Sequence, residues 1–288
     1  MDAVVRIERA LSDALALTAL GGCPPRLAEA MHHAVFPRGA RVRPRLVLAV
    51  AAACGGDDTR LTDAAAAAIE LLHCASLVHD DLPCFDDAEM RRGRPSVHRA
   101  HGEPLAVLAG DALIVLAFQA LARTGGECSR VVALTGCVGA AVGVPRGIVA
   151  GQAWECERLS DIAEYHRQKT GALFAGAAMA GALSAGQEGD PWRAFGALLG
   201  EAYQAADDIG DAAGEAEEMG KPTGRDAALG RPSWARELGI PGAVRRLQEL
   251  AGAAVAAIPP CPGAGDLKAL VMSESRRLLP KRLDVAAA

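Results

Sequence analysis

The sequence has few aromatic residues, and this shortage narrows the folds open to it. Phe, Trp and Tyr together make up 3% of the 288 residues. Strands are enriched in aromatic and β-branched side chains, and proteins that bind single-stranded nucleic acid stack bases on aromatic rings. The shortage therefore argues against a β-sandwich, a β-barrel and a base-stacking surface. Alanine-rich windows and an apolar fraction of 51% instead favour an all-α protein.

A basic tract is also missing. The formal net charge is −5, so nucleic acid is not an expected partner. No apolar run reaches the roughly 18 residues expected of a membrane span, because Gly, Pro and charged residues interrupt each one. The first residues include Asp2, Arg6 and Glu8 and lack the apolar core of a signal peptide. We therefore predict a cytoplasmic protein without a transmembrane segment.

No two of the eight cysteines have the spacing of a zinc-finger site. Several cysteines lie within apolar helical patterns, as small core residues do, which predicts free thiols in a reducing compartment.

Lysine is scarce in this sequence, because the 30 basic residues include only four lysines. Because the chain otherwise uses arginine as its surface cation, a retained lysine suggests a chemical role. The lysines are Lys169, Lys221, Lys268 and Lys281.

Apolar residues recur with a helical period along most of the chain, and short Gly/Pro-rich breaks separate the periodic stretches. No strand pattern or fixed-period repeat is found. Residues 84–102 are predicted to form a polar loop and residues 214–234 a functional loop. Because the helices are apolar on most faces, we expect one large bundle around a deep central cavity, with residues 1–288 as a single domain. The helices are predicted at residues 2–20, 25–36, 44–54, 64–81, 104–123, 129–142, 145–158, 161–185, 190–213, 242–257 and 264–279.

Two acidic clusters carry the chemistry. The first, HDDLPCFDD, runs from His79 to Asp87, and the second, QAADDIGD, runs from Gln204 to Asp211. Residues three and four apart share a helix face, so the polar residues of the second cluster are predicted to line one stripe. Unpaired charges in an apolar helix are costly, and a shared Mg²⁺ would explain them, because this ion prefers carboxylate and phosphate oxygens. A single cluster could equally be a solvated polar face, whereas two in one helical chain favour a diphosphate clamp.

Several segments resemble the trans-type polyprenyl diphosphate synthases over about residues 35–235. DDLPCFDDAEMRRGRPSVH and AYQAADDIGD are similar to that family's two Asp-rich motifs, and HRQKTGALF to its Lys-Thr-Gly segment. LAGDAL at 108–113 and GQAWE at 151–155 are further matches, although no chemical step can be assigned to Gly151, Gln152 or Trp154. Within the family the likeness is strongest to bacterial geranylgeranyl diphosphate synthases of carotenoid pathways.

The resemblance implies an isoprenoid synthase-type fold, a homodimer and a prenyltransferase. This enzyme would condense an allylic diphosphate with isopentenyl diphosphate by metal-assisted ionisation, using several Mg²⁺ ions or Mn²⁺ in their place. The implied metal ligands are Asp80, Asp86 and Asp207, assisted by Asp81, Asp87, Asp208 and Asp211. The implied diphosphate ligands are Arg91, Lys169 and Lys221 for the allylic substrate, and Arg43, His73 and Arg92 for isopentenyl diphosphate. The implied catalytic residues are Lys169, Thr170 and Gln204.

The sequence departs from the family pattern at Ala40, where a phosphate-binding lysine is expected. We hypothesise that Arg38 or Arg41 partly replaces this cation. Product length in the family depends on the residues about one turn before the first Asp, which here are Ala75 and Ser76. Their small side chains leave the path open and predict a twenty-carbon product, geranylgeranyl diphosphate. The alternatives are a farnesyl diphosphate synthase, a class I terpene cyclase and a non-catalytic subunit of a heteromeric synthase.

Overall fold

The computed structural model describes residues 2–36, 39–56, 58–125, 127–157, 162–213 and 233–277. Regular structure in these ranges is helical, apart from a two-stranded antiparallel hairpin of β1 (Met90–Arg91) and β2 (Arg94–Pro95). The hairpin lies inside the predicted loop 84–102. The helices are α1 (Ala3–Leu15), α2 (Pro25–Val35), α3 (Val42–Ala53), α4 (Thr59–Asp80), α5 (Val97–His101), α6 (Glu103–Ala122), α7 (Cys128–Val142), α8 (Ile148–Ala153), α9 (Ile162–His166), α10 (Ala172–Ser184), α11 (Arg193–Ala213), α12 (Trp234–Ala256) and α13 (Ala264–Arg277).

The described residues within Met1–Ala52, Gly56–Gly139 and Ala180–Glu188 form one compact unit. Its central element is α4, which is buried at every position from 65 to 72 and packs against α6 and α1. Small side chains allow this close approach, and the buried Thr62 hydroxyl donates a hydrogen bond to Ser184 (3.0 Å). The first acidic cluster begins at the C-terminal end of α4, so a well-packed helix fixes its position.

A second unit contains the described residues within Ala53–Gly55, Ala140–Met179 and Gly189–Ala288. Here α11 packs along α12 through small and aliphatic side chains that include Ala205, Ile209 and Leu247. The predicted helix 161–185 is observed over residues 162–184, where a π-helical turn at Arg167–Gly171 joins α9 to α10. This turn packs against α8 and α11, so it is held on two sides. The single-domain organisation predicted for residues 1–288 stays a prediction.

Two described helices are long and apolar enough to cross a membrane by length and composition alone. In the most apolar 18-residue stretch of α4, 72% is buried, so α4 is a core helix. In the corresponding stretch of α6 only 39% is buried, so part of its apolar surface is exposed. The Gly, Pro and charged residues that interrupt the apolar runs therefore do not by themselves exclude a membrane-spanning helix. The exposed apolar face of α6 must be covered by lipid or by another protein surface.

A buried ion-pair network ties α1 and α4 to the segment that precedes α3. Arg41, which is only 2% exposed and has a left-handed backbone (φ 51°), donates hydrogen bonds to Glu8 (2.9 Å), Glu70 (2.6 Å) and the Val35 carbonyl (2.9 Å). Burial disfavours its charge, but the two carboxylates outweigh this and raise the pKa of Arg41. The guanidinium therefore stays charged and joins three parts of the chain.

We expect the variant Glu70→Ala to lower the free energy of unfolding by about 3–5 kcal/mol, because it leaves the buried charge of Arg41 poorly compensated. Urea denaturation measures the change. Asp13→Ala is the control, since it breaks the Arg9–Asp13 pair, whose side chains are 71% and 74% exposed. That loss should stay within about 1 kcal/mol. Equal losses in the two variants would contradict the interpretation of the network.

Candidate active site

The first acidic cluster folds back onto the end of α4. The helix ends at Asp80, and the Asp86 N–H donates to the Asp80 carbonyl (2.9 Å). A second bond of this kind joins the Ala88 N–H to the Asp81 carbonyl (3.1 Å). The backbone thus sets residues 80 and 86 side by side, although five residues separate them in the sequence. Carboxylates at these two positions form a hard-oxygen donor set of the kind that Mg²⁺ prefers.

The other two carboxylates of this cluster are ion-paired with arginines. Arg91 donates from Nε to Asp81 (3.0 Å) and makes a second, shorter bond from Nη2. Arg99 donates to Asp87 (2.9 Å). Burial disfavours the charge of Arg91, but the bond and the charge of Asp81 outweigh it and raise the pKa of the guanidinium. These pairs fit the assisting roles that the family resemblance gives to Asp81 and Asp87.

The predicted isopentenyl diphosphate ligands lie close together beside this cluster. Arg43 lies 3.3 Å from the His73 Nε2, and Arg92 lies 3.9 Å from the Glu70 carboxylate one turn earlier on α4. Burial, followed by the charges of Arg43 and Arg92, lowers the pKa of His73 well below its ordinary value. His73 is therefore neutral near pH 7, and the positive charge of this group belongs to arginines.

The structure argues against one of the two residues, Arg38 and Arg41, that were predicted to replace the lysine expected at Ala40. Ala40 itself is exposed. All three nitrogen positions of the Arg41 guanidinium donate to Glu8, Glu70 and a carbonyl, so Arg41 is a structural residue and does not replace the lysine. Arg38 lies outside the described residues, as does the predicted diphosphate ligand Lys221.

The second cluster is held by a hydrogen-bond chain within its own unit. The Thr170 hydroxyl donates to the Gln204 side-chain oxygen (2.6 Å), and the Gln204 amide donates to Asp208 (2.8 Å). Asp208 also accepts from the Trp234 backbone N–H (2.8 Å) and is 1% exposed. Asp207 and Asp211 are only half-buried. The Gln204–Asp208 bond places these two side chains on one helix face, as the predicted stripe requires, and protein donors enclose the Asp208 carboxylate.

Lys169 and Thr170 lie on the π-helical turn. Such turns are rare, and they frequently occur at functional sites because they redirect side chains within a helix. The turn brings Thr170 to Gln204, as the predicted catalytic set requires, while the Lys169 ammonium forms an ion pair with Glu155. The role of Glu155 was missed from the sequence, although the match of GQAWE to the family indicated that this segment matters.

The two predicted chain-length residues differ in their surroundings. Ala75 is buried (1% exposed) within α4. Ser76 is half-buried, and its hydroxyl donates to the His73 carbonyl (2.8 Å). Within the described ranges no group of three or more His, Cys, Asp or Glu side chains forms a ready-made metal site.

Comparison with known protein families tests the resemblance to polyprenyl diphosphate synthases that the sequence motifs indicate. The family model described as Polyprenyl synthetase matches residues 24–252, most of the chain. The chain belongs to the polyprenyl synthetase family. The predicted prenyltransferase is thereby confirmed, and both Asp-rich motifs, the Lys-Thr-Gly segment and GQAWE lie within the matched range.

This polyprenyl synthetase is 50% identical to a geranylgeranyl diphosphate synthase of Cereibacter sphaeroides, over 96% of this chain and 97% of the relative. A geranyltransferase of Helicobacter pylori, solved with magnesium and isoprenyl diphosphate, matches with a TM-score of 0.80 at 28% identity, over 95% of this chain and 97% of its own. A geranylgeranyl pyrophosphate synthetase of Pyrococcus horikoshii matches with a TM-score of 0.79 at 27% identity, over 94% and 97%. The predicted all-α, isoprenoid synthase-type fold is confirmed.

The two neighbouring aspartates of the second motif should differ in their effect on stability. Asp208→Ala leaves the part-buried Trp234 N–H and Gln204 amide without this acceptor, and an unsatisfied donor costs up to about 1–3 kcal/mol when it is fully buried. Asp207→Ala removes a half-buried carboxylate and should cost less, within about 1 kcal/mol. Urea denaturation of the two variants of this polyprenyl synthetase makes the comparison. An equal loss, or a larger loss for Asp207→Ala, would contradict the structural role of Asp208.

Proposed function

We propose that this chain is a Mg²⁺-dependent geranylgeranyl diphosphate synthase, which joins isopentenyl diphosphate to an allylic diphosphate. One observation carries the proposal. The chain has a cationic group made of Arg43, His73 and Arg92 in addition to the Lys169–Thr170–Gln204 group, as a reaction of two diphosphate substrates requires. The names of the Cereibacter sphaeroides and Pyrococcus horikoshii relatives support the same product.

The first chemical step is the loss of the allylic diphosphate, and its rate depends on stabilising negative charge. Bound Mg²⁺ supplies Lewis-acid stabilisation of the departing diphosphate, and the carboxylates of Asp80, Asp86 and Asp207 would hold these ions. The family resemblance implies that Arg91 and Lys169 are ligands of this diphosphate, and as such they would add fixed positive charge. Because Asp81 already fixes the guanidinium of Arg91, little reorganisation is needed when the charge develops.

The allylic fragment left behind is a carbocation. Protein dipoles must stabilise it, and water must be kept away from it. The Thr170 hydroxyl donates to Gln204, so lone pairs of its oxygen can face positive charge. The double bond of isopentenyl diphosphate, which Arg43, His73 and Arg92 would hold by its diphosphate, then attacks this cation. The released proton passes to the departing diphosphate, because the residues assigned to the site include no well-placed base.

The two alternative functions, a class I terpene cyclase and a non-catalytic subunit, would each be expected to show different residues. A class I terpene cyclase needs no second diphosphate group, so the Arg43, His73 and Arg92 group argues against it. Cyclase pockets are also typically lined with aromatic side chains, which are scarce here. A non-catalytic subunit commonly lacks one Asp-rich motif, whereas both are complete in this chain.

The isolated protein should convert farnesyl diphosphate and radiolabelled isopentenyl diphosphate into a twenty-carbon diphosphate. Chelation of Mg²⁺ with EDTA should abolish turnover, and Mg²⁺ or Mn²⁺ should restore it. Chromatography of the dephosphorylated products measures their length. A cyclic hydrocarbon would identify a cyclase, no turnover would favour the non-catalytic subunit, and a product that stops at fifteen carbons from shorter primers would identify a farnesyl diphosphate synthase.

Within the same assay, Ala75→Tyr or Ala75→Phe should shorten the product toward fifteen carbons, because a ring there would block the growing chain. Ala75 is buried, so overpacking is a risk for these variants. Ser76→Phe at the half-buried neighbouring position provides a second test. An unchanged product from folded variants at both positions would contradict the proposed floor of the pocket.

We further propose that the enzyme is a cytoplasmic homodimer that buries the exposed face of α6. Leu108 and Val115 lie seven residues apart on one side of this helix and are 52% and 55% exposed. Asp111 lies between them with a 60% exposed side chain, and a carboxylate in the middle of a span is costly in lipid. A second copy of the chain is therefore a better partner than a bilayer. The eight cysteines, all in the described ranges, are thiols outside disulfides, which supports a reducing compartment.

Val115→Glu should convert the dimer into a monomer, because it places charge in the proposed interface. The matched control is Val5→Glu on α1, where a valine of nearly equal exposure (56%) lies outside the proposed surface. Size-exclusion chromatography with light scattering measures the mass. A monomeric parent protein, or equal behaviour of the two variants, would contradict the proposed interface.

A further inference from the structure

The GQAWE segment, residues 151–155, cradles the π-helical turn that carries Lys169. A Cβ added at Gly151 would lie 2.3 Å from the Lys169 backbone nitrogen, so only glycine lets α8 pack this closely against the turn. The Trp154 indole donates to the side-chain oxygen of Gln168 on the same turn (2.9 Å). The segment thus fixes the backbone from which Lys169 extends.

Glu155 extends this support to the charged group itself. Its carboxylate accepts hydrogen bonds from the Lys169 ammonium, the Tyr165 hydroxyl and the Gln152 amide (2.9 Å). The Lys169 nitrogen also lies 5.8 Å from the centre of the Tyr165 ring, within range of a cation–π interaction. Because Tyr165 and Gln152 hold the carboxylate, its position does not depend on Lys169.

The surroundings distinguish this pair from a surface salt bridge. The side chains of Lys169 and Glu155 are 22% and 15% exposed, whereas those of the nearby Arg167–Glu164 pair are 45% and 35% exposed. Solvent screens the second pair more strongly. A lysine side chain has many rotamers, and a fixed carboxylate selects a small set of them before any ligand binds.

We propose that Glu155 is a positioning residue that holds the Lys169 ammonium where the allylic diphosphate binds. The inference rests on the proposed function, in which Lys169 binds that diphosphate. An ammonium has three N–H donors, so Lys169 can bind a phosphate oxygen while it keeps its bond to Glu155. Glu155 thereby gives GQAWE the role that the sequence alone did not reveal, because it acts through Lys169 and does not touch the substrate.

The experiment is steady-state kinetics with each substrate varied in turn. Glu155→Gln keeps the shape but removes the charge, and it should raise the KM for the allylic diphosphate about tenfold and leave that for isopentenyl diphosphate within about twofold. Glu155→Asp retains the carboxylate and should recover part of the lost affinity. Glu164→Gln on the adjoining helix α9 is the matched control, because Glu164 forms the more exposed pair with Arg167, and it should leave both KM values within about twofold.

A double-mutant cycle with Lys169→Met separates the possible failures. If Glu155 acts through Lys169, adding Glu155→Gln to Lys169→Met should change the allylic KM by less than about twofold. If Lys169→Met alone leaves that KM unchanged, the proposed function of Lys169 fails. If Lys169→Met raises it but Glu155→Gln does not, or Glu164→Gln has an equal effect, the positioning role is overturned while the proposed function stands.

Discussion

Charge compensation inside each unit is the constraint on which the rest of the structure depends. Cations that serve a diphosphate must stay in place while the anion is absent, and an uncompensated charge away from water is costly. Carboxylates close to these cations meet both needs, because they lower that cost and restrict the side chains. Removing one partner of such a pair leaves the other charge buried without compensation, which lowers the stability of the fold. Asp81 with Arg91 and Glu155 with Lys169 are the pairs at the proposed diphosphate ligands, and Glu70 with Arg41 is the corresponding pair at a structural cation.

The groups that local pattern encodes could be predicted from the sequence. Helical periodicity is enough to place His73 and Asp80 on α4, since a helix of this length repeats its faces regularly. The grouping of Arg43 with His73 followed from the family resemblance, and the structure brings the two side chains to 3.3 Å. The all-α class followed from composition, because alanine-rich apolar windows favour helices in any tertiary setting.

The parts that sequence reasoning missed all depend on distant partners. Asp208 accepts a local hydrogen bond from Gln204, but its second donor, the Trp234 N–H, lies 26 residues away in the chain and could not be predicted from neighbouring residues. The π-helical turn has no propensity signal either, because its extra residue is stabilised by packing against α8 and α11. Arg41 was considered as a phosphate ligand for the same reason, since its burial against Glu8 and Glu70 cannot be inferred from neighbouring residues.

The crowding of positive charge around His73 has a thermodynamic consequence. Arg41, Arg43, Arg91 and Arg92 all lie near enough to depress the basicity of this imidazole, so they also repel one another. An anion that settles among them relieves this repulsion in the native chain and not in the denatured chain. Anion binding and folding are therefore linked in a single equilibrium, and an anion bound among these arginines would stabilise this part of the protein.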